Sequence, residues 1–257
     1  MITVILGFLL GTAILIQALT GVSENSRLYL DLFSFVLVAG GTLAAALMSI
    51  TWKNLKELVI SLTEVFFKSA NDEDEVLQEL LVISQKASSV RKISMLEHSS
   101  DNLFIQKGLR LLQNEIGAEN IKRIMYEDMQ SYKTRMSKNS DLVRSIAKYP
   151  PAFGMIGTIL GLIGLLEQMS LSTGMEAIGI KMAMALVTTL YGLLMANYIL
   201  VPMSEILVNK SQLELVLKKK IVDTFLMIAA DKNDPVLIRE FLGHPSLDEE
   251  VKRTEAA

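Results

Sequence analysis

The chain has 257 residues, a formal net charge of −3, two histidines, no cysteine and a mean hydropathy of +0.38. The absence of cysteine excludes disulfides, thiol nucleophiles and zinc–thiolate sites, and the mild acidity argues against a nucleic-acid partner, which requires clustered Lys and Arg. The hydropathy is high for a soluble protein, and the uneven placement of charge largely excludes a soluble enzyme.

No Asp, Glu, Lys or Arg occurs from Met1 to Ser23, from Leu32 to Trp52, from Tyr149 to Leu166 or from Met182 to Ser204. Each run approaches or exceeds the roughly 20 apolar residues of a bilayer-spanning helix, so four spans are predicted. The first run lacks a basic leader and a clear small-residue cleavage site, and reads as a retained span rather than a signal peptide.

The spans pair into two hairpins. Ile2 to about Leu19 and Leu30 to about Ile50 make the first, within residues 1–52. A polar segment, 53–148, follows. Its apolar residues Leu55, Leu58, Val59, Leu62, Val65 and Phe66 recur at helical spacing. Val76, Leu77, Leu80 and Leu81 begin a second helix behind the acidic run Asp72 to Glu75, which suits a helix N-terminus. Leu103–Leu112 and Ile121–Ile146 predict two more. The second hairpin, 149–204, joins Ala152–Leu171 to Met182–Val201 through a loop around Thr173 to Glu176. The tail, 205–257, predicts an amphipathic helix through Leu213, Val216, Val222, Phe225 and Leu226, broken near Asn233-Asp234-Pro235 because proline removes a helical hydrogen bond. The two interspan loops hold only Arg27, with Lys181 at the margin, while the polar segment and tail hold nearly all other Lys and Arg. The positive-inside rule then puts both termini and the polar segment in the cytoplasm.

The third span carries Gly154, Gly157, Gly161 and Gly164, spaced three and four apart on one helix face. Small residues in this pattern let helices approach closely in lipid, and packing alone accounts for them. Thr158 lies in that face, and Thr188 and Thr189 lie in the fourth span. A threonine within a span ordinarily bonds its own helix four residues back, yet hydroxyls on neighbouring spans also offer oxygens to a hard cation. Pro151 suits a first helical turn. No Asp or Glu lies in the middle of any span, Asp31 and Glu167 being at the ends. Ion transport would therefore need a partner's carboxylate. His98 and His244 are far apart in polar context, and no nucleophile–base pair or phosphate loop is present, so the chain reads as a non-enzyme without a cofactor.

Two hairpins around a helical polar segment, with Pro151-Ala152-Phe153-Gly154-Met155-Ile156-Gly157-Thr158 in the third span and Thr188-Thr189-Leu190-Tyr191-Gly192 in the fourth, resemble the MotA/PomA family of bacterial flagellar stator subunits. Asp31, Gly40-Gly41-Thr42, Phe104-Ile105-Gln106-Lys107-Gly108 and Pro202 extend the resemblance over nearly the whole chain. It implies an all-α, four-span inner-membrane protein with a helical cytoplasmic domain. It further implies a pentameric ring around a single-span, peptidoglycan-anchored MotB/PomB-type partner that carries the ion-binding aspartate. Transported Na⁺ or H⁺ would turn the ring against the rotor protein FliG. By position, Pro151 and Pro202 match the family's coupling prolines, and Thr158, Thr188 and Thr189 match its ion-path threonines. Threonines at these places resemble the sodium-driven branch, with Thr158 and Thr189 as transient Na⁺ contacts. Arg91 and Lys92 match the basic half of the rotor-contact motif. Against the family's R-K-x-G-x-L-A-L-E, this chain reads Arg91-Lys92-Ile93-Ser94-Met95-Leu96-Glu97-His98, and Glu97 is the best acidic match. A solvated helix face is the plain alternative for these charges. The rival readings are an ExbB/TolQ-type proton-driven energiser, which usually has three spans, and a non-conducting four-span scaffold surrounded by lipid.

Overall fold

The computed structural model describes residues 2–22, 29–67, 73–89, 99–170, 175–230 and 234–243, and the regular structure among them is all helical. The elements are α1 Ile2–Val22, α2 Leu32–Ser49, α3 Trp52–Phe67, α4 Glu73–Ser89, α5 Leu103–Gln113, α6 Ala118–Ile146, α7 Tyr149–Ser170, α8 Met175–Leu194, a π-helical turn Met195–Leu200, α9 Val201–Ala229 and α10 Pro235–Leu242. The chain forms two compact units. One comprises Met1–Lys56 and Asp141–Ser204, the other Glu57–Ser140 and Glu205–Ala257.

The first unit is apolar. Its α2 and windows within Ala118–Ser170 and Ile178–Ala229 are long and apolar enough to cross a membrane, and Leu6–Gly21 of α1 is a shorter apolar stretch. α1 itself has 21 residues, none of them charged. Helix α7 packs most extensively on α8, and α2 lies against both. Leu43, Ile159 and Leu186 point outward and are exposed, an arrangement suited to lipid rather than water. α8 begins at Met175, earlier than the Met182 expected from the sequence. The charged Lys181 falls inside the helix rather than before it.

The second unit is built on a conventional apolar core. Glu73, Asp74 and Glu75 occupy the first turn of α4, where their charge favours the helix dipole, and Val76, Leu77, Leu80 and Leu81 behind them are buried. Asn102 caps α5, its side-chain oxygen accepting the Phe104 N–H at 2.9 Å. Asp234 caps α10, and Gly243 ends it in the left-handed conformation at φ 63°. The core is continuous through α4, α5, α6, α9 and α10, with Phe225 fully buried in it. Lys218 lies over the rings of Phe104 and Tyr132, 4.5 and 5.0 Å from their centres, with Glu214 at 3.4 Å. Burial, reinforced by Glu214, pushes the Tyr132 hydroxyl above the usual phenol range.

Two predicted stripes are corrected here. In α3, Leu58 and Val65 are buried but Val59 is exposed, and the side chain of Phe66 is outside the described residues. In α9, Val222 and Phe225 are buried, whereas Leu213 and Val216 are 70% and 57% exposed. Leu217, Ile221 and Ile228 take their place in the core.

Candidate functional site

The site is set by how closely α7 meets α8. A Cβ on Gly154 would lie 3.2 Å from the Thr189 Cα and 3.3 Å from the Thr188 carbonyl oxygen. On Gly161 it would lie 2.5 Å from the Ala185 Cβ, and on Gly157 it would strike the Thr188 side chain. The reciprocal position on α8 is Gly192, where a Cβ would come within 2.5 Å of the Pro150 carbonyl oxygen. The two backbones are therefore in contact over several turns, the close-approach mode by which helices associate in lipid. Gly164 is not part of this contact, since a Cβ there would meet only the Lys181 side chain at 3.6 Å.

Within this contact the three threonines separate into two groups. Thr158 and Thr189 hydrogen-bond one another across the helix pair. Thr158 donates to the Gly154 carbonyl at 3.1 Å, and Thr189 reaches the same oxygen at 3.3 Å because Gly154 has no side chain in the way. Thr188 is buried and faces α2. Its hydroxyl lies 2.8 Å from Ser34 Oγ and 2.7 Å from the Met184 carbonyl oxygen, and its single proton can serve one of them at a time. The divergence follows from helical geometry, because successive residues point about 100° apart. Two hydroxyls and a carbonyl thus converge in an otherwise apolar helix pair. Hard cations take hydroxyl oxygens of this kind as ligands, although Na⁺ also needs oxygens beyond this pair.

At the start of α2, the Asp31 carboxylate accepts the Ser34 backbone N–H at 2.7 Å and the Ser34 hydroxyl as well. This capping interaction connects Asp31 to Thr188 through Ser34.

Pro150 and Pro151 both lie in the first turn of α7, where a missing N–H costs nothing. Pro202 behaves differently. Helical structure does not stop at it but continues through α9, and the π-helical turn Met195–Leu200 immediately precedes it, with the Val201 N–H bonded to the Ala196 carbonyl five residues back. A proline in a regular helix would collide with the carbonyl four residues earlier, and the wider turn relieves this. The same turn holds Tyr198, which donates to the Phe8 carbonyl, lies 2.7 Å from Thr12 Oγ1 and stacks on Phe8 at 5.1 Å. Gly11 leaves room for its ring.

Arg91, Lys92 and Glu97 lie outside the described residues. Ser34 and Tyr198 are absent from the sequence reading, and Gly192 enters it only as the end of the fourth-span motif, without a packing role. Gly192 was signalled by the small residues Ala185, Thr188, Thr189 and Gly192, which mirror on α8 the glycine spacing of α7. Ser34 was signalled only by its place three residues after Asp31, and nothing local ties it to α8.

Residues 96–220 match the MotA/TolQ/ExbB proton channel family. The chain is 30% identical over 246 residues to "Motility protein A" of Aquifex aeolicus, covering 93% of this chain and 92% of that protein. It is 27% identical over 233 residues to "Chemotaxis protein PomA" of Vibrio alginolyticus, covering 91% and 90%. The fold matches the "Structure of C. jejuni MotAB" with a TM-score of 0.83 at 20% identity, over 93% of each chain.

Proposed function

This chain belongs to the MotA/PomA family within the MotA/TolQ/ExbB proton channel family, and we propose that it is a flagellar motor stator subunit coupling Na⁺ flow to rotation. In this reading it sits in the inner membrane with both termini cytoplasmic. It assembles as a pentamer around a MotB/PomB-type single-span partner and works against FliG. The observation that carries the reading is the convergence of Thr158, Thr189 and the Gly154 carbonyl on the α7–α8 contact. The sequence places no carboxylate in the middle of a span, so the partner supplies the anionic ligand.

The proton arrangement of the pair explains how it would respond to a cation. Without an ion, one threonine hydroxyl donates to the other. When Na⁺ arrives, the proton shared between the two hydroxyls turns to the Gly154 carbonyl, which each hydroxyl already reaches. Both hydroxyl oxygens then present lone pairs to the ion. A bare proton needs only a titratable carboxylate and a water path, and gains nothing from this pair.

Swimming speed measured against sodium at fixed pH and membrane voltage tests the assignment. Thr158→Ala and Thr189→Ala should each raise the sodium needed for half-maximal speed about tenfold, equivalent to about 1.4 kcal/mol. Undiminished rotation without sodium, or in both variants, would reject sodium coupling. The rotor contact is tested separately. Arg91→Glu should abolish or sharply reduce swimming while leaving membrane accumulation unchanged, the result expected of a charge in a polar stretch of sequence, since surface substitutions typically shift stability by only about 0.5 kcal/mol. Loss of the chain from the membrane would instead assign Arg91 to folding.

A further inference from the structure

Ser34 is fully buried, yet it is a polar residue with three oxygen neighbours besides its own backbone. Its hydroxyl contacts the Asp31 carboxylate, lies 2.8 Å from Thr188 Oγ1 and lies 3.3 Å from the Met184 carbonyl. A serine has one proton to donate and two lone pairs to accept with. A carboxylate only accepts, so the Ser34 proton goes to Asp31 and the Ser34 oxygen is left to accept the single Thr188 proton, which then points to Ser34 rather than to the Met184 carbonyl 2.7 Å away. The hydroxyls then form a directed chain from Thr188 on α8, through Ser34, to the cap of α2.

The other branch of Thr188 is fixed as well. Its methyl group fills the space that Gly157 leaves empty on α7, where any Cβ would collide with it. A β-branched side chain has few χ1 states. With its hydroxyl held by α2 and its methyl by α7, Thr188 fixes the rotation of α8 about its own axis. Thr189 is the next residue, and that rotation decides whether its hydroxyl meets Thr158.

We propose that Ser34 is a positioning residue for ion binding: through Thr188 it sets the rotation of α8 that brings Thr189 onto Thr158 and the Gly154 carbonyl. This inference rests on the ion-path reading of Thr158 and Thr189. Ser34 itself touches no ion. Its loss should loosen the ligand geometry while leaving the glycine-mediated contact of α7 with α8 in place.

The test uses cells that lack their own stator and express the full chain together with its single-span partner. Sodium for half-maximal swimming and maximal speed at saturating sodium are measured at fixed pH and voltage, alongside the amount of chain in the membrane. Ser34→Ala should raise the half-maximal sodium about three- to tenfold and leave maximal speed and membrane level near wild type. Thr188→Val keeps the methyl but removes the hydroxyl, and should do the same. The double variant should be no worse than either single one, since both cut the same chain. Thr158→Ala serves as the control on the underlying reading. If Thr158→Ala shifts the sodium dependence and Ser34→Ala does not, the positioning role is overturned and the ion path stands. If neither shifts it, both fall. Loss of maximal speed or of membrane chain in Ser34→Ala, with unchanged sodium dependence, would make Ser34 a packing residue and overturn the proposal.

Discussion

Gly192→Val should eliminate swimming, the largest effect expected of any single change in the apolar unit. The atoms that a Cβ at this position would meet are all backbone. They are the Pro150 carbonyl oxygen at 2.5 Å, its carbonyl carbon at 3.1 Å and the Gly154 Cα at 3.3 Å. No rotamer change relieves such a clash. The opposing turn also resists adjustment, because Pro150 and Pro151 fix its φ angles. The helices must therefore separate, and a gap of 0.5–1 Å already forfeits about a quarter to a half of each contact's dispersion energy. In lipid that packing, rather than hydrophobic burial, holds helices together. Thr189 lies one turn before Gly192 on the same face of α8, so its bonds to Thr158 and to the Gly154 carbonyl are lost in the same movement. Gly164→Ala provides the contrast. A Cβ there meets only a flexible lysine chain at 3.6 Å, and swimming should persist. Motility in soft agar, with immunoblots of the membrane fraction, checks both variants. Wild-type swimming by Gly192→Val would show that the two backbones do not touch.

The spans were legible because charge is costly in hydrocarbon, and its absence over some 20 residues leaves a mark that no local ambiguity hides. Stripes in the polar unit were harder to assign. Around Leu213, Leu215, Val216 and Leu217 the sequence is apolar on more than one side. Periodicity there does not select a face, and tertiary packing chose Leu217 while leaving Leu213 and Val216 exposed. The same happens in α3, where Leu58, Val59 and Ile60 are consecutive and only Leu58 is buried.

Thr188 and Thr189 were indistinguishable in the sequence, because both are hydroxyls in one span next to a glycine-rich neighbour. Their separation depends on where α2 lies, and Ser34 stands 154 positions from Thr188 in the chain. A hydrogen bond over that span leaves no periodic trace. Pro202 was visible as an interruption, but the remedy, a wider turn rather than a helix end, is a property of the backbone on both sides of it.

Phe225→Ala should have the corresponding effect in the polar unit. Phe225 is fully buried and belongs to the core shared by α4, α5, α6, α9 and α10. Truncating a core phenylalanine to alanine costs about 3–5 kcal/mol, the upper end applying where neighbours cannot collapse into the space. Leu80, Ile83, Ile105 and Ile121 are themselves completely buried in the same core, and interiors packed in this way relax little. Gly108 marks how tightly the ring is seated, since a Cβ on it would lie 2.6 Å from a Phe225 ring carbon. The total stability of a domain is about 5–15 kcal/mol, so the loss removes a large share of it. The segment carrying Arg91, Lys92 and Glu97 runs between α4 and α5, both of which supply core residues. Weakening that core therefore withdraws support from both ends of the proposed rotor contact. Phe225→Ala should make the polar unit protease-sensitive in membranes and abolish swimming at 37 °C, with partial recovery at lower temperature. Phe225→Leu keeps most of the volume and should retain motility. Protease resistance of Phe225→Ala equal to wild type would show that α5 and α9 do not depend on this ring for their packing.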